Sequence, residues 1–218
     1  MWQELFDSLK TENFAVVAVA EESSGPEQAR PWIEKVQPTY WSLIDVDHRV
    51  AALYGMVNVP QCVWIDEAGQ IVRPAETAGS TDHFRHMDQA TRTISAEGLA
   101  ARAAARIAYF DAVRQWVRTG QHALDADKAR AALPRITPDM ALADAYFRLG
   151  IWLRRNNRSD EAVEFLTEAS RLHPDSWNIW RQSAGLNEDG FAAGPEFWAR
   201  VEALGDRPYY KPPDLPGF

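Results

Sequence analysis

Cysteine is almost absent from this chain of 218 residues, with Cys62 standing alone. One thiol excludes an internal disulfide, a C-x-x-C redox pair and a cysteine-rich zinc site within the sequence. Basic charge is short as well, with 23 Lys and Arg against 31 Asp and Glu and a net charge of -8. Such a balance lacks the clustered cations that release counterions from a phosphate backbone, so no nucleic-acid partner is expected. No apolar run approaches the roughly 20 residues of a membrane-crossing helix, and Met1 leads into an amphipathic pattern in place of a basic and then apolar leader. The expectation is a cytoplasmic protein as written, with an extracytoplasmic location if the true start lies upstream. A Gly-rich phosphate loop and a Ser-His-Asp arrangement are missing too, and no cofactor is expected.

What is present is an ordinary composition, 46% hydrophobic and 25% charged, at a length that suits two modest domains. Trp2, Leu5, Phe6 and Leu9 fall on one helical face near residues 2–11. Phe14 to Ala20 is an almost unbroken valine-rich run, the pattern of a parallel strand covered on both faces and central in its sheet. Pro26 stands at a first helical position, and Ala29, Trp32, Ile33 and Val36 form the stripe of a covering helix. Tyr40 to Ile44 reads as a short strand. Asp45 or Asp47 can cap a following helix that carries Val50, Leu53 and Tyr54 and stops at Gly55.

Residues 58–72 are the most telling stretch. A strand entered through Pro60 runs from Gln61 to Asp66, turns at Glu67-Ala68-Gly69 and resumes at Gln70-Ile71-Val72. Cys62 lies inside this strand beside Val63, Trp64 and Ile65, an apolar setting that raises a thiol's pKa; it is a candidate lone thiol, better read as a strand residue than as half of an active site. Ser80 or Thr81 is placed to cap a helix from about Asp82 to Ile94. His83 and His86 stand three apart on that helix and can face one metal with Asp82 or Glu76 nearby, but no third ligand is held at firm spacing, and no metal site is expected. From Gly98 onward the periodicity is helical, broken at Gly120, Pro134 to Pro138, Asn156-Asn157, Pro174 and Gly190 to Pro195. Asp206 to Phe218 holds four prolines and reads as an extended tail.

Taken together, residues 2–94 resemble the thioredoxin-like domain of the TlpA/ResA type, the redoxin-related thiol-disulfide oxidoreductases. Phe14-Ala15-Val16-Val17-Ala18-Val19 looks like the family's strand after the redox helix, and Leu43-Ile44-Asp45 like its short middle strand. Ala52-Leu53-Tyr54-Gly55 with Asn58-Val59-Pro60 looks like the approach to its cis-proline, and Asp66 to Val72 like its hairpin turn. In the family a central strand and a C-x-x-C precede the helix at 2–11, the helix end lowering the thiol pKa. No residue of this sequence occupies those positions. Only Pro60, flanked by Val59 and Gln61, carries over, as a substrate-side loop whose cis bond exposes backbone to an extended partner.

Residues 143–176 resemble a tetratricopeptide repeat (TPR) through Tyr146, Leu149-Gly150, Leu153, Ala162, Ala169 and Pro174, with Leu166 where an aromatic is usual. Trp177 to Leu186 looks like the first helix of a degenerate next repeat, and the helices near 100–118 and 125–133 like an earlier irregular pair. Such units bury their apolar faces by stacking, and Trp152, Trp177, Trp180 and Trp198 are expected in the core. The expected organisation is an incomplete α/β thioredoxin-like domain lacking its first central strand (1–95), an all-α TPR-like domain (96–204) and a proline-rich tail (205–218). The function this implies is a redox-inactive protein that binds a protein or peptide through the helical repeats and the cis-proline loop, with oligomers forming through exposed sheet edges. The alternative is a fragment of a thiol-disulfide oxidoreductase whose C-x-x-C lies upstream, which leaves open whether the protein is an enzyme.

Overall fold

A computed structural model describes residues 2–88, 91–188 and 190–216. In chain order its elements are α1 (Trp2–Ser8), β1 (Val17–Ala20), α2 (Pro26–Val36), β2 (Trp41–Ile44) and α3 (Arg49–Tyr54). There follow β3 (Gln61–Ile65), β4 (Ile71–Thr77), a 3-10 helix (Asp82–His86), α4 (Ala96–Thr119) and α5 (Ala126–Ala132). The chain closes with α6 (Pro138–Arg155), α7 (Ser159–Leu172), α8 (Trp177–Ser183) and α9 (Pro195–Glu202). This is a mixed α/β chain in which helix predominates. It forms two compact units, each drawn from two stretches of sequence: Met1–Asn58 with Pro134–Ala192, and Val59–Leu133 with Ala193–Phe218.

In the first unit β1 and β2 pair in parallel, from Val17 opposite Trp41 to Ala20 opposite Ile44. Among the described residues β1 has no second strand partner. The expectation of a central strand covered on both faces is therefore corrected. Val17, Trp41 and Leu43 share one face of the pair, and all three are exposed, Trp41 at 70%. A strand buries only what its neighbours cover, and among the described residues β2 is the one strand beside β1. The stripe on α2 is corrected in the same sense: Ala29 is buried, but Trp32 and Val36 are exposed. α3 stops at Gly55 as expected, in the left-handed region at φ 66, where an added Cβ would stand 2.6 Å from Pro134. Its first residue cap is His48, whose side chain makes no capping bond, while the Asp45 carboxylate accepts from the Val50 N–H at 2.5 Å.

The helical part of this unit is built on α6 and α7. Thr137 caps α6 by accepting from Met140 N at 3.2 Å, Pro138 occupies the first turn, and the helix ends at the Asn156-Asn157 break. Phe147, Ile151, Ala162, Leu166 and Ala169 form its core. Gly150 lets the helices approach closely, because a Cβ there would lie 2.6 Å from Leu166 Cγ. α8 packs beside α7 and points its first N–H groups at the Val57 carbonyl, from Trp177 at 2.7 Å and Asn178 at 3.2 Å. Of the tryptophans expected in the core, Trp177 is buried, Trp180 is half-buried, and Trp152 is exposed on α6.

In the second unit β3 and β4 form the expected antiparallel hairpin, with Gln61 opposite Thr77, Cys62 opposite Glu76 and Trp64 opposite Arg73. Asp66 shapes the turn by accepting from Ala68 N and Gln70 N at 3.0 and 2.8 Å. Pro74 is tolerated because β4 is an edge strand. The helix expected from Asp82 to Ile94 is corrected to the short 3-10 helix followed by a bridge between Asp88 and Thr93. There the Asp88 carboxylate accepts from Thr91 N at 2.9 Å, an aspartate turn that competes with helix, and the two threonines add β-branched stiffness. Gln89 and Ala90 of that stretch lie outside the described residues. α4 is capped by Ser95, which accepts from Gly98 N, and closed by Gly120 at φ 74. Among its described residues the tail has neither helix nor strand, yet it is held: Tyr209 and Leu215 are buried, and Lys211 and Asp214 lend carbonyls to Thr77 and Arg73. Its last two residues, like Met1, lie outside the described residues.

Candidate functional site

The loop that enters β3 is where the family resemblance implies partner binding. Its approach, Met56 to Asn58, is fixed within the first unit by α8: besides the two bonds to the Val57 carbonyl, Asn178 Nδ2 donates to Met56 O at 3.2 Å and Arg181 Nη1 to Asn58 Oδ1 at 3.1 Å. Asn58 is buried. Beyond it, in the second unit, the Val59–Pro60 peptide is cis, and both residues are exposed. The Val59 carbonyl accepts from the Tyr210 hydroxyl at 3.2 Å, the Pro60 carbonyl from Ala78 N at 3.4 Å, and Gln61 opens the ladder opposite Thr77.

Cys62 is the next residue but one. Its side chain is turned toward the Val63 carbonyl and the Tyr109 hydroxyl, and burial pushes the thiol up to about 11, the Tyr109 bond offsetting part of that rise. At neutral pH the sulfur is a protonated thiol and a poor nucleophile. Around it lies a network the sequence reading missed. Trp64 donates through Nε1 to Tyr109 Oη at 2.8 Å and stacks on Trp116 with ring centres 5.0 Å apart. Burial drives the Tyr109 phenol well above its usual range, so it stays a hydroxyl. Over the Trp64 ring, at 5.2 Å, stands the Arg73 guanidinium, fully buried. Arg73 grips Glu76 with two parallel bonds of 2.8 and 2.7 Å and spends further donors on the His122 and Asp214 carbonyls. Charge is neutralised and donors are used, which makes this a rigid support for β3 and not a reactive centre. The available sequence signal was a pair of opposite charges inside a strand pattern beside Pro74.

The two histidines weighed for a metal part company. His83 Nδ1 lies 2.9 Å from Thr81 Oγ1, whereas His86 is exposed beside a cleft of about 350 Å³ that Trp198, Glu202 and Asp206 also line. Among the described residues no group of three or more His, Cys, Asp and Glu is placed to hold a metal ion. No helix among them is long and apolar enough to cross a membrane. Comparisons with family models, with curated proteins and with solved structures give no match to the chain.

Proposed function

We propose that this chain is a thioredoxin-like protein with a TPR-like helical extension, and that it acts by binding an extended polypeptide without carrying out redox chemistry itself. The observation that carries the reading is the state of the strands. Among the described residues β1 and β3 each have one strand partner, and the β1–β2 pair carries Val17, Trp41 and Leu43 in the open. Exposed strand edges and apolar faces of this kind are what a polypeptide partner covers. The lone thiol supports binding over chemistry, since it is protonated and turned into the protein. The exposed Val59 and Pro60 supply the loop against which an extended partner would lie, and α6 with α7 supplies the helical pair that resembles a repeat.

A second reading is favoured by the same strands: a thiol-disulfide oxidoreductase whose central strand and C-x-x-C come from additional polypeptide. In the resembled family that strand lies between those that β1 and β3 look like. Insulin-disulfide reduction separates the two readings. The full chain alone is expected to give no turnover, and an upstream-extended form is expected to remain equally inactive while the chain captures a polypeptide partner. Turnover in the extended form alone would overturn the binding reading and establish the oxidoreductase.

A further inference from the structure

We propose that Glu21 and His48 form a proton-sensing pair whose two members act on the folding of the first unit in opposite directions across the same acid-to-neutral pH range. Glu21 directly follows β1 and His48 directly precedes α3, so both project from the carboxyl ends of the parallel pair. Their side chains are 7% and 6% exposed, and Glu21 Oε2 lies 3.7 Å from His48 Nδ1, too far for a hydrogen bond. Among the described residues neither Glu21 Oε2 nor either ring nitrogen of His48 has a hydrogen-bond partner. The Phe147 ring of α6 covers the imidazole at 5.1 Å.

A carboxylate withdrawn from water without a donor takes up a proton, and an imidazolium withdrawn without an acceptor gives one up. The pair therefore suits its surroundings only while its net charge is zero. The facing charges come from every neighbouring element. Asp45 after β2 and Arg181 on α8 act on Glu21 in opposite directions, while Asp45, Glu22, Asp47 and the α6 residue Arg155 act on His48. Burial outweighs them in both cases, pushing Glu21 up to about 7 and His48 down. The signs follow from linkage. With its folded pKa raised, Glu21 contributes stability that is fully present below its ordinary value of 4.5 and is lost as pH rises through about 7. With its folded pKa lowered, His48 contributes stability that is present above 6.5 and is lost as pH falls through its folded value.

The mechanical output is local. The loops bearing the pair are tied to the helices by Arg155, which donates to Ser23 O, Val46 O and Asp47, and by the 2.5 Å bond from Ser23 Oγ to Gln182 Oε1. Charging either member invites water between loops and helices and weakens those ties. The test is equilibrium unfolding of the full chain from about pH 5 to about pH 9 beside Glu21→Gln and His48→Gln, with carbon-13 titration of the Glu21 carboxyl in the wild type. Between pH 6 and pH 8 Glu21 alone should raise the unfolding constant about tenfold, a rise that His48 partly offsets in the wild type. Glu21→Gln should remove that rise, and His48→Gln, which deletes the opposing contribution, should make it steeper. A Glu21 carboxyl that titrates below about 5, or a Glu21→Gln profile parallel to the wild type, overturns the proposal.

Discussion

Arg73 shows how a single residue can set the character of its surroundings. A fully buried guanidinium is tolerable only when its charge is matched and its donors are used, and here Glu76, two carbonyls and the Trp64 face do both. Arg73→Met should therefore cost about 3–5 kcal/mol, much of it from the Glu76 carboxylate left behind with little water. Urea unfolding would measure the loss. The double variant Arg73→Met with Glu76→Gln should recover a large part of it, and additive losses in the two variants would show the pair to be uncoupled. Cys62 belongs to the same neighbourhood, and the raised pKa of its thiol follows the apolar setting that Val63, Trp64 and Ile65 announce. Arg73 was not legible, because a charge in a strand pattern ordinarily marks the solvent side, and only the packing of Trp64, Tyr109 and the tail shows otherwise.

At the scale of elements, what could be read was local chemistry. Gly55 and Gly120 end their helices, Thr137 with Pro138 opens α6, and Asp66 with Gly69 turns the hairpin, because each acts on backbone within a few residues. Burial could not be read in the same way. The valine run of β1 and the Trp32–Val36 stripe of α2 have the pattern of covered elements, yet exposure depends on neighbours that the run itself does not encode. The 3-10 helix failed for a third reason, the competition of the Asp88 side chain for the backbone. The α6–α7 contact gives an element-scale prediction. Gly150→Ala improves helix propensity by up to about 1 kcal/mol, but it drives a methyl to 2.6 Å from Leu166 Cγ, and overpacking of this kind costs about 1–3 kcal/mol. The expected outcome is a net loss of stability, read as a lower denaturation midpoint with unchanged slope. A gain would show that α6 and α7 can move apart freely.

For the whole molecule, the discontinuity of the two units matters most. Neither 1–95 nor 96–218 contains a complete unit, since the first requires Pro134–Ala192 and the second requires both Val59–Leu133 and Ala193–Phe218. Fragments cut at 95/96 are thus expected to lose cooperative unfolding, because fragment 1–95 lacks α8, whose first turn holds the Val57 carbonyl, and fragment 96–218 lacks β3 beneath Tyr109. Calorimetry of each fragment checks this, and a sharp two-state transition in either would contradict it. The same threading governs birth as well as stability. A nascent chain emerging at about 5–20 residues per second has β1 and β2 in the open well before α6, α7 and α8 are made, so the apolar strand pair waits on the order of ten seconds for its unit to close. Closure does not cover the face bearing Val17, Trp41 and Leu43, which meets water during synthesis and after it alike.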